Sequence, residues 1–164
     1  GMREDLLILG VGNWLMSDDG VGIHAVRQLA LDPPAGADTV DAGTDFLSAL
    51  AFIEGARRVL VLDAVRAGAA PGTLHRLGLD DAAPRSADGG AHATSVLEAR
   101  RFLPPGAAWP EIEVLGVEPA AVDYGLALSE PVAQALPRLV AAARQTVLNW
   151  AEQPSPSESP RVAS

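Results

Sequence analysis

Cysteine is absent from the 164 residues. That removes disulfides, thiolate metal sites and cysteine nucleophiles in one step. Basic residues are scarce: 12 Lys and Arg stand against 21 Asp and Glu, a net charge of −9. A nucleic-acid binder needs a dense basic footprint, and the pairs Arg57-Arg58 and Arg100-Arg101 read as solvated helix ends or faces instead. No apolar run is long enough to span a membrane. No basic segment followed by an apolar one opens the chain, so no signal peptide is expected. The expectation is a soluble cytoplasmic protein. Any metal must be held by His, Asp or Glu, and the histidines number three, His24, His75 and His92.

What is present is apolar residue at 48%, which excludes a disordered chain and suits one domain with a real core. Gly1 ahead of Met2 reads as an expression remnant. The domain is expected over 2–152, and the Ser- and Pro-rich 153–164 reads as a disordered tail.

Strand and helix patterns alternate. The apolar run 6–11 predicts a buried strand. Residues 20–31 follow as a helix, with Val21, Ala25, Val26 and Leu29 at helical spacing, stopped by Asp32-Pro33-Pro34. A short strand at 39–41 leads into the turn Ala42-Gly43-Thr44, then a helix over 45–54 capped by Thr44 or Asp45 and ended by Gly55. RVLVLDA at 58–64 is the clearest strand, and the next is 73–79. The link 65–72 is too short for a parallel crossover, so these two are expected to pair antiparallel, as a hairpin. A polar loop over 80–91, a helix over 93–103, a strand over 111–117 and a last helix over 131–150 complete the order. Pro137 is expected either to kink that last helix or to split off its first turn. The pattern predicts an α/β fold: a three-layer α/β/α sandwich on a five-stranded, mostly parallel sheet carrying one antiparallel strand.

GVGNWLMSDDGVG, residues 10–22, lies where the first strand hands over to the first helix, the place where open α/β sheets bind ligands. Gly10 and Gly12 fit the start of a dinucleotide fingerprint, but Leu15 stands at the third glycine. Asp18 and Asp19 would repel a phosphate. One acid, Asp18, reads as a helix cap, where a carboxylate also meets the helix dipole favourably. One cap does not need two acids, which leaves Asp19 as the functional candidate. Asp63 ends the strand 58–64 at the same sheet edge. It either caps the following turn or serves as a ligand, since a carboxylate there is costly unless hydrogen-bonded, paired or metal-bound. His24 and His75 read as structural or surface residues. His92 sits between the long loop and the next helix and gains meaning only in combination with Asp19 and Asp63. Two carboxylates and an imidazole suit a borderline divalent ion such as nickel or zinc. No H-E-x-x-H and no G-x-S-x-G is present.

These residues carry a resemblance. GVGNWLMSDDGVG, DAGT at 41–44, VLDA at 61–64, PGT at 71–73, His92, GVEP at 116–119 and Leu128-Ser129 together resemble the hydrogenase maturation proteases. The resemblance implies an α/β/α endopeptidase that removes a C-terminal extension from the large-subunit precursor of a [NiFe] hydrogenase after nickel insertion. Nickel would be supplied by the precursor and held weakly or not at all by the free protein. It also implies Asp19, Asp63 and His92 as the catalytic and metal-contacting set. Asn13 and Asp18, with Asp41, Gly43 and Thr44, would shape the loops and meet the substrate. Partners are the precursor alone, with no nucleic acid and no membrane. The alternative class is a nickel-dependent module that checks the precursor without cleaving it. Two departures from the family pattern matter below: Ala42 replaces a glycine, and would be strained if that position takes positive φ, and Glu118 stands where glutamine or an apolar residue is common.

Overall fold

The computed structural model describes residues 5–78, 105–106 and 109–153. The loop expected over 80–91, the helix over 93–103, His92 and the tail after 153 lie outside these residues.

Five strands form one sheet: β1 (Leu6–Val11), β2 (Ala37–Gly43), β3 (Arg58–Ala64), β4 (Leu74–Gly78) and β5 (Glu111–Val117). Three described helices are α1 (Val21–Leu31), α2 (Phe46–Gly55) and α3 (Glu130–Glu152), and a short 3-10 turn, Ser17–Gly20, precedes α1. The strand order is β2-β1-β3-β5-β4. All neighbours are parallel except β4 and β5.

The sheet is covered on both faces, as its strands foretold. Leu6, Ile8, Leu60 and Leu62 pack with Val21, Val26 and Leu29 of α1 and Leu139 and Val147 of α3. Leu7, Leu9, Val59 and Val61 point the other way, onto Ala49 and Ile53 of α2. Because successive side chains alternate across a strand, β1 and β3 must be apolar at nearly every position to serve both layers. That is the three-layer α/β/α sandwich predicted.

The expected hairpin is not there. β4 runs antiparallel to the other strands, as predicted, but it pairs with β5, and β5 lies between it and β3. Burial explains the order. β5 is apolar on both faces, with Ile112, Val114, Leu115 and Val117 buried, whereas β4 (LHRLG) is only half-buried and suits an edge. The link 65–73 steps across β5 and is tied to its end: Val65 N–H donates to the Val117 carbonyl (3.0 Å) and Gly72 N–H to that of Glu118 (2.8 Å).

Two smaller expectations also change. Asp45 caps α2, accepting from Ser48 N–H and Ser48 Oγ–H, whereas Thr44 does not. Pro137 lies inside one continuous helix, and the first turn of α3 is not a separate element. With Pro131 already within that first turn, the helix starts where a missing N–H costs nothing.

Candidate functional site at the switch point of the sheet

The chain leaves β1 toward β2 on one side and later fills β3 and β5 on the other. The sheet order therefore reverses between β1 and β3, and the carboxyl ends of those two strands frame the crevice where such sheets bind ligands. Asp63 is the sixth residue of β3 and fully buried. Its Oδ1 accepts the N–H of Ala64 at 2.8 Å. Strand alternation puts it on the Val59 and Val61 face. Asp19 lies in the 3-10 turn beyond β1, which packs against both β3 and α1. Its Oδ2 accepts the N–H of Asn13 at 2.9 Å, closing the loop back on itself. The Asn13 side chain in turn accepts from Leu15 N–H at 3.0 Å.

The glycines of this segment serve close approach. A Cβ on Gly22 would stand 2.1 Å from the Leu62 carbonyl oxygen and 2.8 Å from that of Val11. The first turn of α1 is thus seated directly on the ends of β1 and β3. Gly12 combines φ of 131° with a position where a Cβ would lie 2.1 Å from the Asp19 carbonyl oxygen. No L side chain fits there.

Asp18 does not cap α1. The residue at that position is Gly20, and no side chain bonds the first turn. Instead the fully buried Asp18 carboxylate reaches across the molecule. Its Oδ2 accepts from Ala120 N–H (2.9 Å), Ala121 N–H (2.9 Å) and Ser129 Oγ–H (2.7 Å), and its Oδ1 from Ser129 N–H (2.8 Å). Burial alone would raise this carboxyl, but the bonds from Ala121, Ser129 and Ala120 outweigh it and hold the pKa below the ordinary value. Backbone bonds run alongside: Ser17 N–H to the Gly125 carbonyl, Gly125 N–H to that of Leu15 (both 2.8 Å), and Asp18 N–H to that of Ala121 (3.2 Å).

The second turn, DAGT, joins the same edge. Gly12 N–H donates to the Gly43 carbonyl at 3.0 Å. The register of β1 and β2 slips there, Gly10 facing Asp41 and Val11 facing Gly43, so Ala42 is the extra residue of a bulge. The positive φ, 55°, falls on Gly43 and not on Ala42. Alanine is therefore unstrained at 42. Thr44 is exposed. Asp41 pairs with Arg27 at 3.1 Å, and the Arg27 guanidinium lies 4.1 Å from the centre of the Trp14 ring. Trp14 also packs on His24, ring centres 4.1 Å apart. Burial lowers the His24 pKa. The hydrogen bond with the Leu126 backbone works against that, and the Arg27 charge adds to it. His24 is thus a neutral packing residue, in line with its structural reading. Trp14 and Arg27 drew no attention in the sequence. Trp14 sits inside the signature, but nothing in a linear reading shows that α1 brings Arg27 over its ring.

His75, on β4, meets Glu118 at 3.2 Å. Glu118 is buried and also accepts from Ala67 N–H and Ala69 N–H, both at 2.9 Å to Oε1. Burial pushes its pKa up, but these two backbone bonds, with the His75 bond and charge, bring it below the ordinary value. The departure at 118 therefore has a purpose: the carboxylate clamps the link that follows Asp63. The motifs are joined in pairs, Gly12 to Gly43, Asp18 to Ser129, and PGT to GVEP. In the last pair Glu118 N–H donates to the Thr73 carbonyl at 2.9 Å.

Among the described residues no three His, Asp or Glu side chains gather into a metal-sized group. The predicted set of Asp19, Asp63 and His92 is completed only by a residue outside them.

Fold and edge together define a doubly wound α/β protein with carboxylates, Asp19 and Asp63, at its switch point. The model of the hydrogenase maturation protease family, HycI, matches residues 23–146. The hydrogenase expression/formation protein HupM of Azotobacter chroococcum is 35% identical over 150 residues, covering 87% of this chain and 71% of its own. HoxM of Azotobacter vinelandii is 35% identical over 135 residues, covering 78% and 65%. Among solved structures, the maturating endopeptidase HybD of E. coli superposes with a TM-score of 0.75 over 91% of this chain and 94% of its own, at 23% identity. The [NiFe] hydrogenase maturation protease HybD of Thermococcus kodakarensis gives 0.69 over 88% and 99%, at 26%. This chain belongs to the hydrogenase maturation protease family, a family of peptidases. No described helix is long and apolar enough to cross a membrane.

Proposed function

We propose that this protein is an endopeptidase that removes the C-terminal extension of a [NiFe] hydrogenase large-subunit precursor after nickel insertion, in the cytoplasm. The observation that carries the reading is the placement of Asp63 near the end of β3 and of Asp19 in the 3-10 turn beyond β1, at the switch point between these adjacent parallel strands, in a fold shared with maturation endopeptidases. The nickel of the precursor is substrate here. Two carboxylates with the imidazole of His92 make a donor set suited to a borderline divalent ion with positions left for the ligands of the precursor. The free protein accordingly holds nickel weakly.

The precursor docks with its nickel at this edge. Hydrolysis then needs a base for the attacking water, and Asp19 and Asp63 are the carboxylates at hand. Asn13, which donates its N–H to Asp19, holds that carboxylate in place. Asp41, Gly43 and Thr44 form the neighbouring wall.

The test is to mix the purified protein with nickel-loaded precursor and follow the mass of the large subunit. Loss of the extension is expected with wild type and not with Asp19→Asn or Asp63→Asn. Unchanged processing by both variants would refute the assignment. Binding without any mass change would instead mark the protein as a checking module.

A further inference from the structure

Three large apolar side chains stand exposed beside the signature loop. Tyr124 is 89% exposed, Leu15 55% and Leu126 55%. They are not on a loosely held segment. Gly125, between Tyr124 and Leu126, donates its N–H to the Leu15 carbonyl and accepts from Ser17 N–H, so 15–17 and 124–126 run side by side. Ser17, at φ of 49°, is the one non-glycine with positive φ among the described residues. Next along the chain, the buried Asp18 carboxylate accepts four bonds from Ala120, Ala121 and Ser129, which flank 124–126 on either side. A buried acid, a strained serine and a backbone bridge therefore all hold apolar groups in water. Folding alone gains nothing from that display.

We infer that Leu15, Tyr124 and Leu126 form a docking ledge for an apolar surface of the protein substrate, the precursor. The inference rests on the function proposed above and names where that substrate is gripped. Leu15 lies on the loop that presents Asp19, and Asn13 bonds both Leu15 and Asp19. A macromolecule that reaches Asp19 must therefore lie against that loop. A second copy of this chain is the less favoured occupant, because each copy carries −9 and like net charge opposes association. Within the ledge itself the side chains are uncharged, and tyrosine supplies large contact area at low entropic cost.

The experiment compares wild type, Leu15→Ser, Tyr124→Ser and the double variant on nickel-loaded precursor. The double variant is expected to raise KM about tenfold or more, the effect of removing a contact hot spot, with kcat within about twofold of wild type. A photo-crosslinking residue at 124 should label the precursor, and circular dichroism melts should match wild type because neither side chain is buried. A KM unchanged in the double variant, or a loss confined to kcat, would overturn the ledge while leaving the peptidase assignment intact. A wild type that neither binds nor cleaves the precursor would overturn both. Self-association of wild type that the double variant abolishes would show the occupant to be a second copy and refute the proposal.

Discussion

Replacing Asp18 by asparagine tests the central structural claim, that this acid is a cross-molecule clamp. Its Oδ2 accepts three hydrogen bonds and its Oδ1 one, and the side chain is 0% exposed. Asparagine keeps the shape. Its amide oxygen takes the place of Oδ2, which meets the three donors, so its NH2 faces the N–H of Ser129, donor against donor. Three bonds fall from charge-assisted to neutral, each a loss of about 1 kcal/mol. The orphaned Ser129 N–H adds roughly 1–3 kcal/mol. The relief of no longer burying a charge offsets part of this, leaving a net loss of about 3 kcal/mol. For a domain of this size that is a fall in Tm of roughly 6–12 °C. The pH profile carries a sign. The folded pKa lies below the unfolded value, so the advantage of wild type over Asp18→Asn is fully present above that unfolded value and is lost as pH falls through the folded one. The measurement is urea unfolding followed by tryptophan fluorescence from pH 8 down to pH 3. The gap should be flat from pH 8 to about pH 5 and close below about pH 4. A variant within about 0.5 kcal/mol of wild type at pH 7, the range of an ordinary surface change, or a gap that varies near neutrality, would refute the clamp.

Gly12→Ala should lose about 3 kcal/mol or more, since the new Cβ meets the Asp19 carbonyl oxygen at 2.1 Å and φ is 131°; a melt that coincides with wild type would show that the loop can open there without cost. Glu118→Gln keeps an acceptor for Ala67 and Ala69 but loses the charge, and should cost about 1–2 kcal/mol at pH 7. Because the folded pKa of Glu118 is depressed, the difference should vanish as pH falls through and below the ordinary glutamate range, and chemical denaturation at pH 7 and pH 3.5 checks it.

The strand at 58–64 was legible to the residue, because a strand buried on both faces writes its burial directly into an unbroken apolar run; that at 111–117 was legible too, its apolar residues outnumbering Glu111 and Glu113 at its start. Asp63 stood out as a candidate for the same reason, an acid closing such a run, and the structure places it fully buried with its Oδ1 accepting from the Ala64 N–H. Asp18 was misread as a cap because capping is a local rule, whereas its donors at Ala120, Ala121 and Ser129 lie 102 to 111 residues along the chain. Glu118 was visible as a departure without a reason, since its partners sit on a link and an edge strand that only the fold assembles.

By itself, then, the sequence determined the layers, the strand directions and the acidic edge, all consequences of side-chain periodicity and of where apolar runs stop. The tertiary structure decided which strand pairs with β4, which of two adjacent acids is clamped inside, and which glycine of the second turn takes positive φ. Those choices depend on burial compared across the whole sheet and on hydrogen bonds between distant segments. Within 10–22 the division is plain. The spacing of glycines and acids pointed to a candidate site, and the fold places Asp18 inside as a clamp between distant segments and Asp19 in the turn beyond β1.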